Sequence, residues 1–254
     1  MPDADHSPFL SVIVPSYNEQ HNIERGVLKE LISYLKQQPY TWELILSDDG
    51  STDGTVESLQ QFAKQHPEVT VLTNSHAGKG PAVTAGMLAA HGQWRLYTDF
   101  DQSTPIQEVT KLLPYTDQYQ VIFGSREIAG AKRDKEPFYR HLMGRGFNLL
   151  VQIMAVRGVQ DTQCGFKMFS AQATETLFPK LYIYSPQNRQ PDAFTGAFDV
   201  ELLFLARKLG FTYKEVPIHW RHFATTRVNP LKDSVRMFID ILRIRWARLM
   251  GKYH

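Results

Sequence analysis

The sequence predicts an α/β fold: a mostly parallel central sheet flanked by helices, with a C-terminal amphipathic helix. Two observations predict the sheet. Short β-rich runs alternate with helical patterns through the first half, the order that parallel strands with crossover helices require. Polar patches then follow the first four runs, at the strand ends where open parallel sheets collect ligands. The last helix is predicted by Val235, Phe238, Ile239, Leu242, Trp246 and Leu249 recurring at helical spacing, with Arg236, Asp240 and Arg243 on another side.

The elements follow in order. "FLSVIVP" reads as a strand and precedes a helical stretch from about Asn18 to Lys36; "WELILSDD" precedes one from about Asp53 to Gln65. "VTVLTN" leads into "GPAVTAGMLAA", and "QWRLYTDF" into "TPIQEVTKLLP", where Thr104, Pro105 and Gln107 offer an N-cap, a first-turn proline and a capping-box glutamine. "YQVIFGSR" is the next strand. The second half contains an apolar helical stretch from about Phe138 to Val156 and the block "DTQCGFKMFS". The loop "YSPQNRQPDAFTG", the helix "FDVELLFLARKLG", the strand "YKEVPIHW" and a helix from about Leu231 to Met250 complete it. The expected division is a flexible N-terminus over 1–8, one domain over 9–230 and the basic amphipathic helix over 231–254.

Bulk properties exclude several classes. The 254 residues, 43% hydrophobic and 21% charged, describe an ordinary folded chain with enough residues for a sizeable core. A formal net charge of +2 is too small to argue for nucleic acid. Cys164 is the single cysteine, so no internal disulfide forms, which fits a reducing compartment. The N-terminus lacks the apolar core of a secretory signal, and no run of apolar residues is long enough to span a bilayer. A cytoplasmic location is expected.

Four patches carry the chemistry. In "DFD", alternation along a strand lets Asp99 and Asp101 converge while Phe100 turns toward the core. Two carboxylates suit Mg²⁺ or Mn²⁺, ions that complete their shells with water and substrate phosphates; an exposed helix-capping turn is the plainer alternative. In "SDDGSTDGT", Asp48 and Asp49 can accept hydrogen bonds from a base or ribose, whereas Asp53 better suits a cap. "HAGKG" lacks the full phosphate-loop pattern because Pro81 follows Gly80, yet Lys79 can meet a phosphate at a helix start. "PSYNEQHN" after the first strand lacks the glycines of a nicotinamide-binding turn.

In order, "SVIVPSYNE", "LSDDGSTDGT", "GKGPAVTAG", "YTDFDQSTP", "FGSR" and "DTQCGFKMF" resemble the inverting glycosyltransferases of family 2. "DTQCGFKMF" with "FDVELLFLARKLG" and "VPIHW" resembles the dolichyl- or polyprenyl-phosphate glucosyl- and mannosyltransferases, closest to the dolichyl-phosphate β-glucosyltransferase type; the likeness covers about Leu10 to Asp233. It implies the GT-A fold, with its Rossmann-like sheet, and Mg²⁺ or Mn²⁺ as cofactor. It also implies a nucleotide-sugar donor, UDP-glucose ahead of GDP-mannose, and a polyprenyl-phosphate acceptor.

Carried over by residue, the resemblance implies nucleotide-sugar contacts at Pro15, Tyr17, Asn18, Glu19, Asp48 or Asp49 and Asp99, to which the residue reading adds Lys79. It implies metal ligation by Asp99 and Asp101, and an arginine near the phosphates at Arg126. The mannosyltransferase pattern D-A-D-L-Q-H-P is not matched: Ser103 stands in the glutamine's place and Gln102 one position earlier, which moves the sugar toward glucose.

Asp101, Arg126 and Asp199 are the candidate catalytic residues. An acceptor phosphate, already ionised near neutral pH, needs little general-base help, so cations matter more: Arg126 first, then Lys132, Arg133, Arg140, Lys167, His222 and Arg227. The loop with Lys132 and Arg133 is placed to close over the site. For a hydroxyl acceptor, Asp199 or Glu201 is the candidate base, and Asp199 equally suits a helix N-cap. A non-catalytic nucleotide-sugar-binding module is the reading from another class. Cys164 reads as a packed residue rather than a nucleophile.

From Arg236 onward, four Arg and one Lys stand against one Asp. This helix either packs its apolar stripe on the domain, lies on a membrane, or pairs with a partner or a second copy. The Phe138 to Val156 stretch offers a second apolar surface, and peripheral attachment to the cytoplasmic face of a membrane is expected.

Overall fold

In the computed structural model, which describes residues 7–134, 156–185, 197–223 and 230–253, seven strands form one sheet. They are β1 (Leu10–Ser16), β2 (Trp42–Asp48), β3 (Val69–Thr73), β4 (Trp94–Thr98), β5 (Val121–Ser125), β7 (Phe166–Ser170) and β8 (Tyr213–Pro217). Their order is β3-β2-β1-β4-β7-β5-β8, and every pairing is parallel except those of β7, which runs antiparallel to both neighbours. A short ribbon pairs β6 (Lys132–Arg133) with β9 (His219–Trp220).

Alternation along the strands divides the core between the two faces of the sheet. On one face Val12, Val14, Leu44, Leu46, Leu96 and Met168 pack with Leu28, Leu31 and Leu35 of α2 (Val27–Leu35). On the other, Ile13, Tyr97 and Phe169 join Val83 and Met87 of α4 (Lys79–Ala89) and most of α7 (Phe198–Lys208). Each aliphatic side chain so enclosed contributes about 1.5–3 kcal/mol. Because β7 wedges between two forward strands, both its faces are buried, and Lys167 lies inside the sheet with no exposed surface.

The structure corrects several sequence expectations. The helix expected over Asn18 to Lys36 divides into α1 (Gln20–Glu24) and α2, because Gly26 takes φ 93 between them. The capping box at Thr104 does not form. Pro105 keeps an extended ψ of 142, the chain enters a 3₁₀ turn at Ile106, and only α5 (Val109–Leu112) follows. "YKEVPIHW" divides into β8 and β9 around buried Ile218.

The helix α3 (Thr55–Lys64) starts after Gly54, while Asp53 serves its first turn by accepting from the Thr55 N–H at 3.1 Å and its hydroxyl at 2.6 Å. Two other predicted segments, Phe138 to Val156 and "YSPQNRQPDAFTG", lie largely outside the described residues, although Val156 is buried.

After α6 (Ala171–Leu177), the chain reaches the two helices that decide the second half. Phe198 through Ala206 of α7 are all buried. The C-terminal helix α8 (Pro230–Leu249) rests on the same cluster through Ile241, Ile244 and Ala247. Its predicted apolar stripe faces the other way: Val235 is 60% exposed, Trp246 66% and Leu249 79%. Packing that stripe on the domain is therefore corrected, since Ile241, Ile244 and Ala247 supply the inner face instead.

Candidate active site

The carboxyl ends of β1, β2 and β4 meet the entry to β7 at one edge of the sheet. β1 and β2 finish in register, Ser16 beside Asp48. Buried Asp48 accepts from Ser16 Oγ at 3.0 Å and from the Ser51 N–H at 2.8 Å. Across the same seam, the Asn18 N–H donates to Ser51 Oγ at 2.8 Å, Asn18 Oδ1 accepts from the Thr52 N–H at 2.8 Å, and the Glu19 N–H donates to Thr55 Oγ1 at 2.8 Å. The side chains of Asn18 and Asp48, read from the sequence as ligand contacts, thus lock two loops together. Asn18 holds a left-handed φ of 53 to do so, a conformation that costs about 1–3 kcal/mol in a non-glycine residue. Pro15 is buried within β1.

Asp49 is held by the loop after β3. Its carboxylate accepts from the backbone N–H groups of Ala77 at 2.8 Å and Gly78 at 2.9 Å, and lies 2.9 Å from His76 Nδ1. Burial raises its pKa in spite of these donors. Tyr17 stacks on His76 with ring centroids 4.4 Å apart, so an aromatic pair borders the Asp49 side of the edge.

The same loop starts α4 and aims Lys79 at Asp99, with Nζ 2.5 Å from Oδ1. Burial works against the ammonium charge, but Asp99, Asp199 and Asp101 outweigh it and raise the pKa. Asp99 follows β4 directly, and Gly165 lies against it: a Cβ on Gly165 would stand 2.1 Å from Asp99 Oδ2. Only glycine permits that approach, which accounts for the glycine in "DTQCGFKMF". Asp101 accepts from the Ser103 N–H at 2.8 Å; burial first and the Asp99 charge second raise its pKa.

Between the two aspartates and Ser103 the backbone is braced from several directions. Gln102 takes φ 53 and donates from Nε2 to the Asp99 carbonyl at 3.0 Å. Arg25 donates to the Asp101 carbonyl at 2.7 Å and lies 4.3 Å over the Phe223 ring. The Arg221 N–H donates to the Ser103 carbonyl at 2.7 Å. His222 sits between these anchors, and its Nδ1 is buried without a hydrogen-bond partner among the described residues.

Beneath Lys79, Asp199 accepts from the Tyr97 hydroxyl and from Lys167 Nζ at 2.6 Å, while Lys167 also donates to the Cys164 carbonyl at 2.5 Å. Asp199 is not the N-cap of α7; Ala197 holds that position and the Asp199 carboxylate turns into the core network. Lys167, expected as a phosphate contact, instead neutralises Asp199 inside the sheet. Glu201 has no exposed surface and accepts from the N–H groups of Tyr182, Ile183 and Tyr184 and from the Tyr253 hydroxyl, at 2.7 to 3.0 Å. A base role for Glu201 is thereby corrected to a structural one.

Arg126 directly follows β5 and forms a two-pronged pair with Asp161, Nε to Oδ2 at 2.7 Å and Nη2 to Oδ1 at 2.9 Å, with its own N–H on Oδ2 at 2.9 Å. Burial favours neutral forms on both sides, but mutual attraction wins, raising the arginine pKa and holding Asp161 down at about 2. Lys132 and Arg133 lie in β6 rather than a free loop; Arg133 pairs with Glu127 at 2.5 Å and lies 5.4 Å over Trp220. Arg140 and Arg227 lie outside the described residues. Cys164 is buried, and its thiol is pushed up to about 12 by burial first and Asp161 second, which fits a packed residue.

Sequence reasoning did not single out Arg25, Asp161 or the Tyr97 hydroxyl. Asp161 stands inside the "DTQCGFKMF" block but 35 positions from Arg126, beyond any helical or strand period. Among the described residues, no group of three or more metal-ligating side chains occurs. The donor set nevertheless fits a divalent ion presented with a diphosphate: two hard carboxylates at a strand end, Asp99 39% exposed, already holding a cation in Lys79. Water and phosphate oxygens would complete the shell.

This sheet, with paired aspartates at the carboxyl end of a strand, has the GT-A-like fold. Residues 11–178 match the family model described as Glycosyl transferase family 2, and the chain belongs to that family. It is a glycosyltransferase. The chain is similar to dolichyl-phosphate beta-glucosyltransferases: 34% identical over 267 residues to that of Drosophila melanogaster, covering 98% of this chain and 78% of the relative. The Saccharomyces cerevisiae protein is 32% identical over 270 residues, with 98% and 78% covered.

Solved structures share the fold. Glucosyl-3-phosphoglycerate synthase from Mycobacterium tuberculosis, in complex with UDP, superposes with TM-score 0.63 at 20% identity, covering 94% of this chain and 80% of that one. Mannosyltransferase PcManGT from Pyrobaculum calidifontis, in complex with GDP-Man and Mn²⁺, gives 0.57 at 19%, covering 96% and 66%.

Proposed function

We propose that this enzyme transfers a hexose, glucose in preference, from a nucleotide sugar to a polyprenyl or dolichyl phosphate, inverting the anomeric centre. The carrying observation is the Asp99–Asp101 pair at the carboxyl edge of the sheet, in a chain whose relatives bear the name dolichyl-phosphate beta-glucosyltransferase. UDP-glucose is the preferred donor and GDP-mannose the other. Asp99 and Asp101 would hold Mg²⁺ or Mn²⁺, which would neutralise charge developing on the departing diphosphate.

The protein's own groups divide the remaining work. Tyr17, His76 and Asp49 border the nucleoside side, and Lys79 at the first turn of α4 supplies positive charge next to the diphosphate position. An acceptor phosphate oxygen attacks the anomeric carbon from the face opposite the leaving group; the new carbon–oxygen bond forms as the bond to the nucleoside diphosphate breaks. The occupation of Asp199 by Tyr97 and Lys167 supports this nucleophile, because a hydroxyl acceptor would need a free base. Arg126, with Nε and Nη2 committed to Asp161, serves the phosphate side through its remaining amino group. Attachment is peripheral, on the cytoplasmic face of a membrane that holds the acceptor.

A donor-by-acceptor panel tests the reading, crossing UDP-glucose and GDP-mannose with a short isoprenyl phosphate and sugar hydroxyls, with Mg²⁺, Mn²⁺ or chelator. Metal-dependent formation of a glucosyl isoprenyl phosphate is expected, and alanine at Asp99 or Asp101 should lower turnover by about 100-fold or more. Transfer to hydroxyls with isoprenyl phosphates ignored would overturn it.

A further inference from the structure

The outward face of α8 has no role in the site described above. Val235, Phe238, Ile239, Leu242, Trp246 and Leu249 are all exposed, between 37% and 79%, along roughly 21 Å of helix at 1.5 Å per residue. At 100° per residue these six side chains fall within one sector, opposite buried Ile241, Ile244 and Ala247. Arg236 and Arg243 project along one border of the sector and Arg245 along the other, while Arg248 turns toward α7, 5.8 Å over the Phe204 ring. The helix is therefore apolar on two opposed faces, and only one of them is needed by the fold.

Charge placement decides what the second face meets. Asp240, the single acid among residues 235–252, points inward to the Tyr184 hydroxyl and to Arg243 at 3.1 Å, so over residues 235–252 no acid of the helix lies on its outer face. Two copies pairing face to face would set arginine borders against arginine borders, a like-charge arrangement. Next to the apolar ridge, Tyr182, Ile183, Ile239, Leu242, Trp246 and Met250 border a groove of about 690 Å³. Such a ridge, with cations on both borders, matches the headgroup boundary of an anionic bilayer: apolar side chains enter it and arginines reach back to phosphate.

The ridge also begins near the candidate active site. Gln163 Nε2 lies 3.6 Å from Met237 Sδ, and Gly165, two residues on, touches the Asp99 carboxylate. We propose that the outer face of α8 is the enzyme's docking surface for anionic phospholipid, laying the helix flat on the bilayer with the site beside it. This rests on the lipid-phosphate reading of the acceptor but concerns a separate surface.

The test is flotation of the whole protein with vesicles of phosphatidylcholine alone and with phosphatidylglycerol, at low and high salt. Binding should need the anionic lipid, weaken with salt, and be accompanied by quenching of Trp246 by brominated acyl chains. The outward triple variant Leu242→Glu, Trp246→Glu, Leu249→Glu should bind about tenfold or more weakly, with transfer to a water-soluble isoprenyl phosphate unchanged.

Vesicle binding equal in the variant would overturn the proposal. So would failure of the wild type to bind any vesicle, or a dimer or protein complex dissolved by the same substitutions without lipid binding. Because the soluble acceptor reports transfer separately, loss of docking and loss of the acceptor assignment are read independently.

Discussion

Lys79 and Asp99 form a contact that must change for the proposed chemistry to proceed. An ammonium 2.5 Å from a carboxylate occupies the side of Asp99 that a divalent ion would approach, and the charges of Asp101 and Asp199 help hold it there. If Asp99 held a divalent ion, Lys79 would have to give up this contact and would be available to the donor diphosphate. Lys79→Met should bind Mn²⁺ about fivefold more tightly than wild type without nucleotide, the scale of one partly exposed ion pair. The variant should also lose much of the gain in Mn²⁺ affinity that UDP confers. Electron paramagnetic resonance of free Mn²⁺ measures both, and weaker Mn²⁺ binding by the variant would exclude the competition. The sequence placed Lys79 near phosphate but gave no sign of its resting partner, since the lysine starts α4 and the aspartate follows β4, 20 residues apart.

At the scale of elements, α7 and β7 are where local pattern and tertiary context diverge. Lys167 interrupts an apolar run in β7, and Asp199 on α7, with the Cys164 carbonyl, explains why it remains inside. The strands β1, β2 and β4 are readable as short β-rich apolar runs set between helical patterns, since β1 is buried at every position and β2 and β4 along most of their length. The antiparallel sense of β7 is not, because pairing direction depends on partners distant in sequence. The aspartate pair was legible from its position after a strand, whereas Arg25 and Asp161 act through contacts that no period encodes.

Glu201 gives this divergence a measurable form. Its carboxylate gathers three backbone donors of residues 182–184 and the Tyr253 hydroxyl, tying the turn and the C-terminal segment to α7. Glu201→Gln replaces one accepting oxygen by a donor facing N–H groups, and should cost about 1–3 kcal/mol in urea unfolding. Turnover per folded molecule should stay within about twofold, the outcome for a group whose bonds maintain structure rather than move a proton. A large fall in kcat at unchanged stability would return Glu201 to the reaction.

For the molecule as a whole, the buried acids pull stability in opposite directions as pH changes. Asp161 has its pKa held at about 2 against an ordinary 3.8, so the unfolded chain binds its proton first as pH falls. Its stabilisation, about 2 kcal/mol, is present above the ordinary carboxylate range and is lost as pH drops toward 2. Glu201 and Asp49 have folded pKa values raised by burial, so in the window between unfolded and folded values the native state holds the extra proton. Their contribution grows as pH falls into that window and fades as pH rises through the folded values. Asp161 therefore makes stability fall as pH drops from the ordinary carboxylate range toward 2, while Glu201 and Asp49 act in the opposite sense over the window above their unfolded values. Urea unfolding of the metal-free protein at closely spaced pH values measures this profile. Asp161→Asn should be less stable at neutral pH, because it leaves Arg126 buried beside a neutral amide, and its acid limb should be flatter. An acid limb of unchanged steepness in that variant would assign the decline to other carboxylates.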